Sequence, residues 1–407
     1  MRREVWRETP FTVKLLLSTS FMMNLGFYAL IPYLTLYLTG SIGWTLAMAA
    51  LVLGVRQFCQ QGFGFLGGVV SDLFGYKGTM VFGLGIRAVG FGMFAFCTQT
   101  WHFFLAAILA GLGGSLFEPA VSAAFAIQTP ENVRKEVFAF RNVLVNIGVV
   151  GSQLIGTALA TVDFFYLSLF SGGVFALLTL LVLFLLPPIA AENTRYSMWQ
   201  SMVHVLKDKR FVLFTVILMG HYYLNMQIFL TIPRFVEDVM GDKFYVGIVL
   251  STVSLSVILL QMKVMRLLEG YQQKLVLIGV GTLVMGIGLF LLSFAHSLWL
   301  IMIDVFLFAV GTMIAVPNMV EVVPDFAPKE MVGAYYGFNG YSMALGGSLG
   351  QIAGGWVYDI SKQLAMPWLP WSICLLVGML VVWQLYLMEQ TGSRMNRGKI
   401  SQKRTTP

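Results

Sequence analysis

Charge is what this chain has least of. Asp, Glu, Lys and Arg make up 11% of its 407 residues, whereas 57% of positions are hydrophobic. A soluble domain carries roughly 25% charged and about 45–50% apolar residues, so a water-exposed globule is excluded. Cysteine is nearly as scarce: Cys59, Cys97 and Cys374 stand apart, with no CxxC pair and no Cys/His cluster. That pattern excludes a disulfide framework and predicts free, buried thiols, no metal site and no other cofactor. Histidine is thin too, and His102, His204, His221 and His296 lie on four separate segments. No nucleophile, carboxylate pair or ligand set gathers in one stretch, which argues against an enzyme. Nor is there room for the soluble domain that a membrane sensor would carry, since the longest hydrophilic interruption runs only from Pro187 to Arg210.

What is there is a series of long apolar runs, with a mean hydropathy of +0.79. A bilayer core of about 30 Å takes about 20 apolar residues as a helix, and the short alternating strands of a barrel are missing. The expectation is an all-α membrane protein with twelve transmembrane helices. They are placed near 11–36, 45–70, 79–98, 101–126, 138–160 and 164–186, then 211–233, 244–266, 274–295, 299–322, 335–358 and 370–389. The opening MRREVWRETPF leads into a run too long for a signal peptide, with no small-residue cleavage site after it, and is expected as a cytosolic lead. Of the 26 Lys and Arg, Arg56, Arg87, Arg234, Lys243 and Lys362 fall mid-span or on the far side, and the rest cluster with the N-terminus. Both termini are therefore expected in the cytoplasm. The same bias accounts for the net charge of +7, so nucleic acid is not expected as a partner.

The polar interruption after span six divides the chain into six plus six. Shifted by 198 positions, Pro119 meets Pro317, Pro130 meets Pro328, Phe140 meets Phe338, Gly148 meets Gly346, Gln153 meets Gln351 and Gly156 meets Gly354. Shifted by 201, Asn24 meets Asn225 and Pro32 meets Pro233. Their common order points to duplication, giving two pseudo-symmetric six-helix bundles at 1–186 and 211–389, a cytoplasmic linker at 187–210 and a basic cytoplasmic tail at 390–407. Paired bundles of this kind hold a substrate between them near the midplane and expose it to alternate sides, so the architecture argues for transport. Gly346, Gly350 and Gly354 recur every fourth residue, as do Gly64 and Gly68, which suits close helix packing.

The line 67-GGVVSDLFGYKGTMV-81 resembles the loop signature of the major facilitator superfamily, and 55-VRQFCQQGFGFLGG-68, 111-GLGGSLFEP-119, 208-DKRFV-212 and 353-AGGWVYD-359 extend the resemblance to its drug:proton antiporter group over nearly the whole chain. The resemblance implies a multi-pass protein of the bacterial plasma (inner) membrane, monomeric and surrounded by lipid, that exchanges a small-molecule substrate for protons. It also implies a conformational latch of Gly68, Asp72, Gly75 and Lys77 with Glu118 on span four. Leu73 and Tyr76 stand where the pattern has arginines, leaving Lys77 as the in-pattern partner of Asp72 unless Arg134, Lys135 or Arg141 substitutes. Span four has Ala107 where antiporters often have arginine, and span five has Ser152 and Gln153 in place of Gly-Pro, departures that weigh against proton antiport but not against transport.

A charge at mid-bilayer costs about 2.5–3.5 kcal/mol on insertion scales, so it needs a partner or a wet cavity. Arg56 lies 16 residues before Asp72, about 24 Å along a continuous helix, with Gln57, Gln60 and Gln61 on adjoining rows. This face is either a substrate site or a structural arginine bonded to neighbouring helices. Arg87, mid-way along span three, has Asp304, Glu118 and Gln60 as candidate partners. Asn24, Tyr28, Arg56, Gln57, Gln60, Asn142, Asn146, Gln153, Tyr222 and Asn225 are the expected walls of a substrate cavity, with 23 Met and 33 Phe supplying adaptable apolar surface. Proton coupling needs a group that changes charge near ambient pH; the candidates are Asp304, Glu118 and His221. Each has a plainer alternative: Asp304 as a solvated end residue, Glu118 as part of the latch, His221 as a neutral hydrogen-bonding residue. Glu321 is expected as a gate or loop contact. The functional expectation is proton-coupled efflux of drugs or other amphiphilic small molecules; the alternatives are export of one endogenous metabolite, lipid or siderophore, or a non-transporting sensor.

Overall fold

The structure is a computed structural model that describes residues 3–130, 133–189, 198–328 and 331–404. Positions 190–197 of the expected linker lie outside the described residues. Sixteen α-helices and no strand are found among the described residues. The first half holds α1 (Arg3–Glu8), α2 (Phe11–Leu36), α3 (Leu46–Gly62), α4 (Gly64–Phe74), α5 (Tyr76–Met93), α6 (Thr100–Gln128), α7 (Arg134–Val162) and α8 (Phe164–Leu185). After α9 (Met198–Lys207) come α10 (Lys209–Met226), α11 (Thr231–Met240), α12 (Phe244–Leu267), α13 (Lys274–Leu291), α14 (Leu298–Phe326), α15 (Val332–Gln363) and α16 (Leu369–Arg404).

Among the described residues, ten stretches are long and apolar enough to cross a bilayer: α2, α5, α6, α7, α8, α10 with α11, α12, α13, α14 and α16. The two other expected spans fall short for different reasons. Span two, expected as one helix over 45–70, breaks at Phe63 into α3 of 17 residues and α4 of 11. Phe63 sits at φ −94° and ψ 0° between Gly62 and Gly64, where neither neighbour favours continuing the helix. Span eleven, α15, is 32 residues long but interrupted by tyrosine, asparagine, serine and glutamine.

Inside a bilayer hydrophobicity does not drive helices together, so close packing has to. A β-carbon on Gly148 of α7 would lie 2.7 Å from the Phe21 carbonyl oxygen of α2; one on Gly346 of α15 would lie 2.5 Å from Cα of Met219 in α10. Gly156 meets Ala29 as Gly354 meets Gln227, and Gly83 meets Gly113 as Gly281 meets Gly311. Each member of the second set stands 198 positions after its counterpart, so the duplication extends from residues to contacts. Whole-helix packing repeats it: α5 on α6, α2 on α7 and α5 on α8 match α13 on α14, α10 on α15 and α13 on α16. Between the halves, α3 packs on α15 and α7 on α12.

Hydrogen bonds across this seam gather at the end of the bundle where α2 finishes and α3 begins, the distal end. The Asp359 carboxylate of α15 accepts from the backbone N–H of Leu46 at 3.1 Å and of Ala47 at 2.6 Å, the first residues of α3. A carboxylate there satisfies donors that a helix start leaves free and faces the positive end of its dipole. Thr35 donates to the Phe229 carbonyl at 3.1 Å, and Arg234 reaches Thr39 at 3.5 Å. Arg234 is itself held by Glu237 at 2.6 Å and Asp238 at 2.9 Å, and Asp238 pairs with Lys362. The larger apolar cluster crosses the seam at this end, joining Leu34 and Leu36 to Leu230, Ile232 and Val236. A second cluster around Phe211, Phe214, Tyr335 and Leu385 stays within the second half.

Candidate functional site

Next to the sealed end lies a cavity of about 320 Å³ between the halves. One wall comes from α2, α3, α5, α6 and α7 and carries Asn24, Phe27, Tyr28, Arg56, Gln57, Gln60, Gln61, Arg87, Glu118, Ser122 and Arg141; the other wall carries Met226, Phe229 and Met343. Tyr28 stacks on Phe229 with ring centroids 5.6 Å apart, closing the cavity toward the distal end.

The helical spacing of α3 sets the charged face. Arg56 is buried, and its two terminal nitrogens donate to Gln60 Oε1 at 2.6 Å and Gln57 Oε1 at 2.9 Å. Gln60 spends its amide nitrogen on Glu118 Oε1 of α6 at 2.6 Å. The same oxygen accepts from Arg87 Nη1 of α5 at 3.3 Å, which selects Glu118 from the three candidate partners of Arg87. The carboxylate is 32% exposed, enough to face the cavity, while Arg87 is buried. Phe27 of α2 lies beside both arginines, with guanidinium carbons 5.0 Å (Arg56) and 4.9 Å (Arg87) from its ring centroid. Arg87 also lies 5.8 Å from the ring of Phe91 and 5.0 Å from that of Phe175, so it ties α5 to α8 while reaching the cavity. Arg141 donates from Nε to Ser20 at 3.1 Å and rests over Phe125. Arg56, Arg87 and Glu118 thus share one polar network across α3, α5 and α6, and Arg141 stands on the same wall with its own bond to Ser20.

Among the expected cavity residues, Asn24, Tyr28, Arg56, Gln57 and Gln60 come together on this wall. The others stand elsewhere. Asn142 and Asn146 bond along α7, Asn146 Nδ2 donating to the Asn142 carbonyl at 2.8 Å on an exposed face. Gln153 is buried with its carbonyl oxygen unpartnered. Tyr222 packs edge-on against His221, and Asn225 is half-buried near the end of α10.

The proton candidates separate in the same way. Glu118 is in the cavity. His221 is fully buried and shares a 2.9 Å hydrogen bond from Nδ1 with Thr282 of α13, because the turn of α10 aims it away from the seam. Asp304, expected either as a proton site on a cavity-lining helix or as a solvated residue, is buried at the α13 crossing and does not line the cavity; a β-carbon on Gly288 would lie 2.7 Å from its carbonyl oxygen. Glu321 pairs with Lys274 at 3.0 Å.

Of the latch, Gly75 takes φ +84°, a backbone that glycine adopts freely, and so turns α4 into α5. Gly68 lies on α4, and Lys77 borders a shallow groove with Phe74 and Ile189. The side chains of Asp72, Arg134 and Lys135 lie outside the described residues. The described bonds of Glu118 run to Arg87 and Gln60.

Sequence reasoning found the Arg56 stripe but missed Phe27, Met226, Phe229 and Met343, which look like any apolar residue of a span. It also assigned nothing to Asp359, whose one signal is an acid at a helix end.

The profile of the Major Facilitator Superfamily matches residues 16–351 and 242–403. The Multidrug resistance protein MdtH of Proteus mirabilis is 31% identical over 395 residues, covering 96% of this chain and 96% of that protein. MdtH of Photorhabdus laumondii is 31% identical over 374 residues, covering 91% and 92%. In fold, the chain is similar to the nucleoside transporter NupG, with a TM-score of 0.77, 17% identity and coverage of 93% and 99%. It is also similar to an auto inhibited POT family peptide transporter, with a TM-score of 0.80, 14% identity and coverage of 95% and 97%.

Proposed function

Because the chain belongs to the major facilitator superfamily and is a membrane transporter, we propose that it exports drugs or other amphiphilic small molecules by alternating access, driven by inward proton flow. The observation that carries this reading is the cavity: a buried polar wall from one half, an apolar wall from the other, and a seal at one end. Residues 1–186 and 211–389 are the two moving bodies, joined by the cytoplasmic linker 187–210 and followed by the cytoplasmic tail 390–407. With both termini in the cytoplasm of a bacterial inner membrane, the distal end is periplasmic, and this state is closed to the outside. Asp359 and the Arg234 network hold that closure; tilting the halves breaks them and opens the cavity outward.

Glu118 is the proton carrier in this scheme. A proton added to its carboxylate removes the charge that Arg87 pairs with, loosening the link from α5 to α6 and, through Gln60, to α3. Asp304 and His221 are set apart from the cavity, which favours Glu118. One site between two halves is complete in a single chain, so the working unit is a monomer.

Purified protein in proteoliposomes, assayed for flux of a drug panel with and without an imposed ΔpH, tests the proposal. Flux of several amphiphiles that collapses with ΔpH supports it. Flux of a single metabolite, lipid or siderophore replaces it with the narrower exporter, and flux indifferent to ΔpH removes proton coupling. Ligand binding without flux makes the protein a sensor.

A further inference from the structure

We propose that the cavity recognises an acidic head group: its ligand is an amphiphile with a carboxylate or similar small oxyanion at one end and an apolar body at the other. This rests on the cavity being the substrate site, and not on the direction of transport or the coupling ion. Three guanidiniums, Arg56, Arg87 and Arg141, meet in these walls with one carboxylate, Glu118. That carboxylate is already engaged by Arg87 and Gln60. Arg56 has no carboxylate within ion-pair distance among the described residues. Its terminal nitrogens donate to neutral amide oxygens, while its Nε and the Nε2 of Gln57 are buried without a partner.

A ligand cation would have to draw Glu118 from Arg87 and add a like charge beside three arginines. A ligand oxyanion instead supplies the counter-charge that Arg56 lacks and accepts from the free donors in charge-assisted, fork-like geometry. The opposite wall fixes the orientation: Met226, Phe229 and Met343 bring no charge, and thioether and aromatic surface accepts apolar bodies of varied shape. The head group therefore lies on α3 and the body against the second half.

The test is equilibrium binding by calorimetry to the full-length protein in nanodiscs, using three probes with one aromatic body: naphthylacetate, naphthylacetamide and naphthylethylamine. The carboxylate is expected to bind about tenfold or more tighter than the amide, and Arg56→Gln to weaken carboxylate binding by more than it weakens amide binding, so that the preference shrinks. Amine binding equal to or tighter than carboxylate binding overturns the inference, as does binding of none of the three, or an Arg56→Gln loss shared equally by all. The wild-type series alone decides the head-group question if that variant does not fold. Panel flux in proteoliposomes without a carboxylate preference defeats this inference and leaves the export reading standing; absence of flux with a carboxylate preference does the reverse.

Discussion

Replacing Asp359 by asparagine removes a charge from the start of α3 while keeping the shape of the side chain. In the closed state its two oxygens accept from Leu46 and Ala47 at 3.1 and 2.6 Å. Asparagine keeps one acceptor oxygen and loses the attraction to the helix dipole. Loss of a capping interaction costs about 0.5–2 kcal/mol, and the charge itself contributes about 0.3–1 kcal/mol at an exposed helix start, more when partly buried. A combined cost of about 1–2 kcal/mol falls on this state alone, because the contact joins helices from different halves; that shifts the ratio of closed to open forms by roughly 5- to 30-fold. Spin labels at Ile42 and Phe244, both exposed and in different halves, report the change as a distance distribution by pulsed electron resonance. The expected result is a longer-distance population that grows in Asp359→Asn and more so in Asp359→Ala, with the melting temperature nearly unchanged. An unaltered distribution in both variants would refute the argument, since it would mean that the cap adds nothing to closure.

Glu118→Gln should mimic the protonated carboxyl, loosening the link to Arg87 and making substrate flux insensitive to ΔpH; a wild-type ΔpH dependence in that variant moves the proton elsewhere. His221→Gln should lower the melting temperature without changing the pH profile of transport, because its described hydrogen bond goes to Thr282 and not to the cavity. Gly350→Val should destabilise by about 1–3 kcal/mol through overpacking, since a β-carbon there would lie 2.7 Å from Cα of Tyr223; a thermal unfolding midpoint equal to wild type would count against it.

The broad fold was legible because lipid imposes a length on each helix and because the duplication left prolines and glycines in register. Gly148 and Gly346 could be aligned by identity, and the packing of each on Phe21 and Met219 follows from the same shift. The break at Phe63 was not legible: Gly62, Gly64, Gly67 and Gly68 crowd one stretch, and a packing glycine and a breaking glycine look alike in sequence. The Arg56 and Gln60 pair could be found from spacing, since residues four apart share a helix face. Which face meets the seam could not. Each residue turns the helix by about 100°, so the packing of α10 alone decides that His221 faces α13 while Met226 reaches the cavity. The pairing of Arg87 with Glu118 likewise depends on how α5 and α6 cross at Gly83 and Gly113.

The two walls of the cavity give the duplicated halves separate roles. The first half supplies fixed charges in a bonded network where changing one member disturbs several others; the second supplies Phe229 and Met343, whose side chains make no hydrogen bond among the described residues, and Met226, whose sulfur accepts one long hydrogen bond of 3.9 Å from Gln351. Substrate range can then drift by substitution on one side while the charge chemistry on the other stays under constraint. A random mutagenesis screen for altered drug profiles should gather its hits on α10, the turn at Phe229 and α15, and its dead variants on α3, α5 and α6. Duplication in this molecule separates what can vary in evolution from what cannot.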